Sequence, residues 1–242
     1  MSFYLLKEYI SSILIESAIS VSSILNKKFA LSINDDADSM SLMLYSPTDL
    51  FSSLHFTESE YKNDKNEVES WTDIYPGEND GTIHSSLLST IGLDAPMSGG
   101  YIYAVFHVVK NKNSENWNAW EITNATARSG YGPAMYDIIM SIAGTIMSDR
   151  KTVSDSAKKI WFYYLNNRND VEALPLNNEK KSNNPLDFAY KSKKTIDITM
   201  LIANHNSSIK KLASKFKINK DELFDALEVA ADEFWKGKMS DH

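Results

Sequence analysis

Residues 119–144 read AWEITNATARSGYGPAMYDIIMSIAG and change period midway. Ala119–Ala127 is a strand-like run, and Arg128–Pro133 is a turn with glycine at 130 and 132. Met135, Tyr136, Ile138, Ile139 and Ile142 then recur at helical spacing. Proline suits the first helical turn, because its fixed φ matches the helix and its missing donor has no intrahelical partner there. Gly144 predicts the helix end, and Thr145–Ser148 predicts a short strand. Upstream, YIYAVFHVV at 101–109 follows Gly99 and Gly100 and precedes an Asn-rich break. It predicts a central strand pairing antiparallel with 119–127 across a long loop. Downstream, Ser154 predicts the cap of a helix over Asp155–Leu165, and VEALPL at 171–176 predicts a last strand with Pro175 at an edge or end. A strand, a glycine turn and a helix N-terminus together favour an anion, since free backbone donors and the helix dipole converge there. The three-glycine dinucleotide fingerprint and the P-loop are both missing from the sequence.

On either side of this block the signals are simpler. In the first 25 residues, apolar positions from Leu5 to Leu25 recur every three to four residues, predicting an amphipathic helix. Lys7, Glu8 and Glu16 interrupt any signal-peptide pattern and serines line one face, so neither export nor a membrane span is expected. MSLMLY at 40–45 predicts a strand, followed by a helical or irregular stretch near Leu50. The acidic stretch from Glu58 to Asp80 reads as a solvated loop or insertion, and its spacing makes no EF-hand, so no metal site is expected. After Asn177 the chain reads as a linker, then as three helices at 196–204, 207–216 and 220–235. Lysines crowd the segment 191–220, giving SSIKKLASKFKINK and the helix after it a generic helix-turn-helix pattern. That last helix carries Asp221, Glu222, Asp225, Glu228, Asp232 and Glu233, so a docking or oligomerisation module is favoured over nucleic-acid binding.

Composition limits the chemistry. With 43% apolar and 24% charged residues over 242 positions, the chain is globular, with room for one large domain or a medium one with an appendage. The absence of cysteine excludes thiolate nucleophiles, disulfides and cysteine-held metals. A net charge of -7 counts against a protein that coats nucleic acid. Only Arg128, Arg150 and Arg168 are arginine among 25 basic residues, so each is a position where a planar fork of donors is expected to hold an anion or a backbone cluster, or is an ordinary surface charge. No G-x-S-x-G elbow supports a hydrolase. His107 reads as a satisfied strand histidine or a proton carrier, while His55, His84 and His205 stand alone in sequence.

In the order of their elements, residues 101–165 resemble the central block of the GNAT family of acyl-CoA-dependent N-acetyltransferases. YIYAVFHVV and AWEITNATA match its paired strands, ARSGYGP its R/Q-x-x-G-x-G/A turn, and PAMYDIIMSIAG the helix after that turn. TIMSDR and SDSAKKIWFYYL match its fifth strand and next helix, and S-D-R before an A-x-x-x-W helix is similar to GNAT-like proteins encoded by bacteriophages. Two residues depart from the motif: Ala127 holds its first position, displacing Arg128 by one, and Pro133 removes one donor.

The resemblance implies an α/β fold with a GNAT-like mixed central sheet flanked by helices. It divides the chain into an amphipathic helix over 1–29, a GNAT-like domain over 30–180, and a linker with a helix-turn-helix-like appendage over 181–242. Acetyl-CoA is the implied cofactor, its pyrophosphate held by Arg128, Ser129, Gly130, Tyr131 and Gly132. Glu121 is the implied base, although on strand alternation it also reads as an exposed residue, and Tyr163 or Tyr164 is the implied acid. The partners are then acetyl-CoA and an amine. The alternative is a catalytically inactive phage protein of the same fold, acting as a virion component or binding a host or viral protein. The corresponding locations are the cytoplasm of an infected host cell or the virion.

Overall fold

The computed structural model describes residues 19–26, 28–62, 68–76, 101–112, 117–176, 182–216 and positions 219–221, 223, 224, 227 and 231, with backbone alone for 51–62, 68–76 and 216. Residues 1–18 of the expected N-terminal helix, residues 77–100 with His84, and most of the expected 220–235 helix lie outside that description. A helix α1 is seen at Val21–Asn26.

The fold is mixed α/β. Seven strands form one sheet in the order β1-β2-β5-β6-β7-β9-β8, and β3-β4 form a separate ribbon. The strands are β1 (Ala30–Asp36), β2 (Ser39–Tyr45), β3 (Leu54–Lys62), β4 (Val68–Pro76), β5 (Ile102–Lys110), β6 (Trp120–Ala127), β7 (Thr145–Ser148), β8 (Val171–Pro175) and β9 (Phe188–Ser192). Helices α2 (Pro47–Ser53), α3 (Gly132–Ala143), α4 (Asp155–Asn167) and α5 (Thr199–Phe216) connect or follow them. β5 and β6 run antiparallel as expected: the Asn111 amide donates to the Ala119 carbonyl, while four residues earlier His107 meets Thr123, four residues later. β6 and β7 are parallel, and β9 is antiparallel to both β7 and β8.

Three expectations are corrected, and one strand is added. The acidic stretch is not a loop over residues 58–62 and 68–76: β3 and β4 pair there in antiparallel register from Leu54↔Pro76 to Lys62↔Val68. In β3 Glu58, Glu60 and Lys62 alternate with Thr57, Ser59 and Tyr61, and β4 carries Val68, Trp71, Thr72, Ile74 and Tyr75, residues that favour strands, so net charge concealed the strand signal. VEALPL supplies the sheet's edge but not its last strand, because residues 188–192, read as linker, form β9 between β7 and β8. The helices expected at 196–204 and 207–216 are one helix, α5, continuous through His205 and Asn206. Within it the Ser208 hydroxyl returns to the Asn204 carbonyl, and buried Leu201, His205 and Ile209 keep one stripe. The strand β1 had no strong signal, since only its first residues are buried and Asn34–Asp36 lie in solvent.

Contacts divide the chain into two compact units. The first holds 33–42 and 106–199 with the N-terminal residues. Its core is a chain of rings: Phe106 on β5 meets Tyr136 on α3 edge-on at 5.1 Å, Tyr136 meets Trp161 on α4 at 4.9 Å, and Trp161 stacks on Tyr190 of β9 at 5.1 Å. Such pairs add about 0.5–1.5 kcal/mol each beyond the burial of their area. The Tyr190 hydroxyl donates to the Pro185 carbonyl at 2.7 Å, so that ring's polar tip is not stranded.

Beside the rings, α3 and α4 are locked by charge. Arg168 caps α4 and sends Nη1 to both carboxylate oxygens of Asp137 at 3.2 Å, while Nε and Nη2 fork onto Asp170 at 2.7 and 3.0 Å. The Tyr164 hydroxyl donates to Asp137 Oδ1 at 2.9 Å and lies 3.1 Å from the Pro133 carbonyl. Burial pushes the Asp137 carboxyl up, against the pull of Arg168 and Tyr164, and it pushes the Tyr164 phenol well above its ordinary range. Of the three arginines, Arg168 thus holds two carboxylates, and Arg150, at φ 59, pairs with Asp187 at 3.1 Å. The expected cap is present, with Ser154 Oγ accepting from the Ala157 amide at 3.2 Å.

The second unit holds 28–32, 43–105 and 200–242. Its core joins Ala30, Met43, Tyr45, Leu50 and Tyr101 to Ile209, Leu212, Leu223 and Leu227, so the C-terminal helical residues share a core with strand residues. His205 is buried within it, with Nδ1 3.0 Å from the Tyr45 hydroxyl and its ring 5.1 Å from Phe224. Burial lowers its pKa to about 4.

Two outcomes follow from these contacts. Arg168→Gln leaves the Asp137 charge half-buried without its partner and is expected to cost about 3 kcal/mol in urea unfolding, with Arg168→Lys between it and the wild type. The unfolded chain binds a proton at His205 near pH 6.5, whereas the folded chain resists it down to about 4. Stability is therefore lost as pH falls through that window, by about 3 kcal/mol in all. The double variant Tyr45→Phe/His205→Phe, which replaces both partners with apolar rings, is expected to flatten the upper part of that window; an unchanged slope between pH 6.5 and 5 would refute the assignment.

Candidate functional site

The candidate site is built from β6, the glycine turn, α3 and β7. β6 and β7 pair in parallel only over Trp120↔Ile146, Glu121↔Met147 and Ile122↔Ser148, after which β7 ends and β6 runs on to Ala127. Pairing stops at Ile122 because β7 has no residue beyond Ser148. At that last pair the buried Ser148 hydroxyl has no hydrogen-bond partner among the described residues. The S-D-R segment then turns tightly: Asp149 Oδ1 accepts from the Lys151 and Thr152 amides at 2.5 and 3.0 Å. Burial alone would raise the Asp149 carboxyl, but these bonds and the Thr152 hydroxyl hold it below its ordinary value.

The glycine turn is a closed loop in its middle. The Tyr131 amide donates to the Arg128 carbonyl at 3.0 Å across Gly130, whose φ is 86, a conformation that suits glycine. Tyr131 then stands at the N-cap of α3 with no side-chain cap, and Pro133 lies in the first turn. Of the three amides expected to face a pyrophosphate, Tyr131 is engaged within the turn, while those of Gly130 and Gly132 have no intramolecular acceptor among the described residues. Ser129 is exposed and Arg128 is half-buried. Burial raises the Tyr131 phenol, and the Arg128 charge works against that rise. The Gly130 carbonyl accepts from the Ile19 amide at 2.9 Å, tying the start of the described chain to this loop.

The expected acid–base residues fall in different places. Glu121 is half-buried on β6, and its Oε2 accepts from Asn111 Nδ2 at 3.3 Å. Among the described residues no lysine or arginine is paired with it. Tyr164 is fully buried, its hydroxyl directed to Asp137 and Pro133, so it acts in the joint between α3 and α4. Tyr163 beside it is half-buried, its ring 6.4 Å from that of Tyr164. His107 is not isolated: its Nδ1 is 2.9 Å from Thr123 Oγ1, which also donates to the His107 carbonyl at 3.2 Å. Sequence reasoning overlooked Asn111, Thr123 and Asp137 as partners of these groups. Cross-strand register carries the first two, and helix packing the third.

Among the described residues no group of three or more histidines and carboxylates is arranged to hold a metal, and no helix is long and apolar enough to cross a membrane. No family model, curated protein or solved structure matches the chain.

The turn makes a prediction about its two glycines. A methyl group at Gly132 would meet Ile160 Cδ1 at 3.5 Å and Ala127 Cβ at 4.0 Å, ordinary contacts, whereas at Gly130 the positive φ opposes any side chain. Gly130→Ala is expected to lower stability by about 1 kcal/mol, and Gly132→Ala to leave it level or raise it slightly. Urea midpoints compared side by side test the ordering.

Proposed function

We propose that the protein is a GNAT-like acyl-CoA-dependent N-acetyltransferase, moving an acetyl group from acetyl-CoA to an amine. The observation that carries this reading is the sequence of elements β5, β6, glycine turn, α3, β7 and α4, with β6 and β7 parallel and parting after Ile122. That order is the one the resemblance requires, and the mixed sheet is consistent with it. A pyrophosphate at the turn would meet the Gly130 and Gly132 amides, the positive end of the α3 dipole and the Arg128 guanidinium. Glu121 offers a carboxylate for the amine end, and half-buried Tyr163 remains the candidate proton donor to the leaving thiolate.

A second reading is favoured by two specific observations. The Tyr131 amide is consumed within the turn, and the Tyr164 hydroxyl is consumed by Asp137. Both fit a chain that keeps the fold and has lost the chemistry, as a virion component or a binder of a host or viral protein. Residence in an infected cell or in the virion goes with these readings in turn.

Calorimetric titration with acetyl-CoA, and separately with desulfo-CoA, distinguishes them. The transferase reading expects stoichiometric binding of both near micromolar concentration. It also expects Gly132→Leu to weaken both by about tenfold or more, the equivalent of one charge-assisted hydrogen bond, without shifting the urea midpoint. Binding without transfer to any amine supports the second reading, and no binding at millimolar concentration defeats the pyrophosphate assignment.

A further inference from the structure

The sheet has two unlike faces in the first unit. On β5, Phe106 and Val108 are buried, with Phe106 against Tyr136 of α3, while His107 and Val109 between them are half-buried. On β2, buried Met40 and Leu42 alternate with half-buried Ser39 and exposed Ser41. On β6, the side chains of Glu121 and Thr123 share the face of Asn111 and His107, because each is hydrogen-bonded across the strand pair to one of them. The face away from α3 therefore carries a patch of His107, Thr123, Asn111 and Glu121, with Val109 between them on β5 and Met147 of β7 beside Asn111 and Glu121.

The Thr123 hydroxyl lies within reach of two groups, the His107 carbonyl at 3.2 Å and His107 Nδ1 at 2.9 Å. With its one proton on the carbonyl, its oxygen accepts from Nδ1–H and Nε2 carries the free lone pair; this is the tautomer an amine site requires, and in it Thr123 positions the ring. Glu121 stands two residues along β6 on the same face, diagonal to His107. Such pairs lie about 7–8 Å apart at the backbone, a gap that one ammonium group can bridge. The carboxylate has Asn111 as its donor and no paired cation among the described residues. Of the other charges near this end of β5, Asp38 and Lys112 pair with each other at 2.6 Å, and Lys110 ends the strand exposed to solvent.

We infer that this patch binds a protonated primary amine, with Glu121 holding its charge and His107 Nε2 accepting its proton. The chemistry rests on the acyl-transfer reading above. The ammonium gives one proton to Nε2, and the neutral nitrogen forms a bond to the thioester carbonyl carbon. The carbon–sulfur bond then breaks with its electron pair on sulfur, Tyr163 protonates the thiolate, and the second proton lost by nitrogen as the amide forms restores the Tyr163 hydroxyl. His107 returns its proton to water. The deprotonation that the resemblance implied for Glu121 thus falls to the imidazole, and the carboxylate binds.

The test has two arms. In the first, which needs no acyl donor, nitrogen NMR of the wild type reports the His107 tautomer, and n-butylamine is titrated against n-butanol as a neutral control. The expected result is protonated Nδ1, a shift of the His107 signals with amine but not with alcohol, and loss of that shift in Glu121→Gln. An Nε2-protonated ring, or equal response to amine and alcohol, overturns the inference. In the second arm, His107→Asn keeps a donor for Thr123 but offers no base. It is expected to lower kcat/KM for n-butylamine by about 10²–10⁴-fold with KM for acetyl-CoA unchanged, and a loss of less than twofold overturns it. Should acetyl-CoA fail to bind, the transferase reading falls, while the first arm still decides whether the amine site exists.

Discussion

Asp137 is a carboxylate on a helix that packs against an aromatic core, and its charge is tolerable there only because Arg168 and Tyr164 reach it. Taking a charge out of water costs several kcal/mol, and the penalty is offset when the geometry is good and the remaining lone pairs are satisfied. Here one guanidinium serves two carboxylates and one phenol completes the shell. The arrangement locks the rotation of α3 against the end of α4, because the ion pair and the ring contacts of Tyr136 with Trp161 and Tyr164 must be met together.

With α3 held, the turn before it is held too. The Pro133 carbonyl in the first turn of α3 lies 3.1 Å from the Tyr164 hydroxyl, which places the buried clamp beside the glycine loop. The loop can be irregular, with Gly130 at positive φ and an uncapped N-terminus, because a rigid helix stands behind it. The same packing covers one face of β5 and β6 with rings and leaves half-buried polar side chains on the other. One helix position thus separates a structural face, where Tyr164 and Asp137 belong, from the face of His107 and Glu121.

Much of this was legible in the sequence wherever a local rule governed. The period change at Arg128–Pro133, the stop at Gly144 and the Ser154 cap each depend on neighbours within a few residues, and each was recovered. The errors arose where a longer-range partner decided the outcome. β9 is five residues of a polar stretch and becomes a strand because β7 and β8 supply hydrogen-bonding edges on both sides. α5 runs through His205 because that ring is buried beside Tyr45 and Phe224, which compensates for a residue of modest helical preference. The β3–β4 ribbon is obscured in the sequence because its acidic residues form a block of charge, whereas what makes it a ribbon is the register between two strands.

By itself the sequence determined which segments are strand, turn and helix in the block 101–167, since those choices follow from side-chain period and the backbone preferences of glycine and proline. It also determined the inventory: no thiol, few arginines, one carboxylate on β6. Only the tertiary structure decided what each polar group is bonded to. Tyr163 and Tyr164 are adjacent and alike in sequence, yet one hydroxyl is bound to a buried carboxylate and the other ring is half-exposed. His107 and Thr123 are sixteen residues apart, and strand register makes them one hydrogen-bonded pair. Bonding partners separated by a loop or a helix are set by packing, which no local pattern encodes.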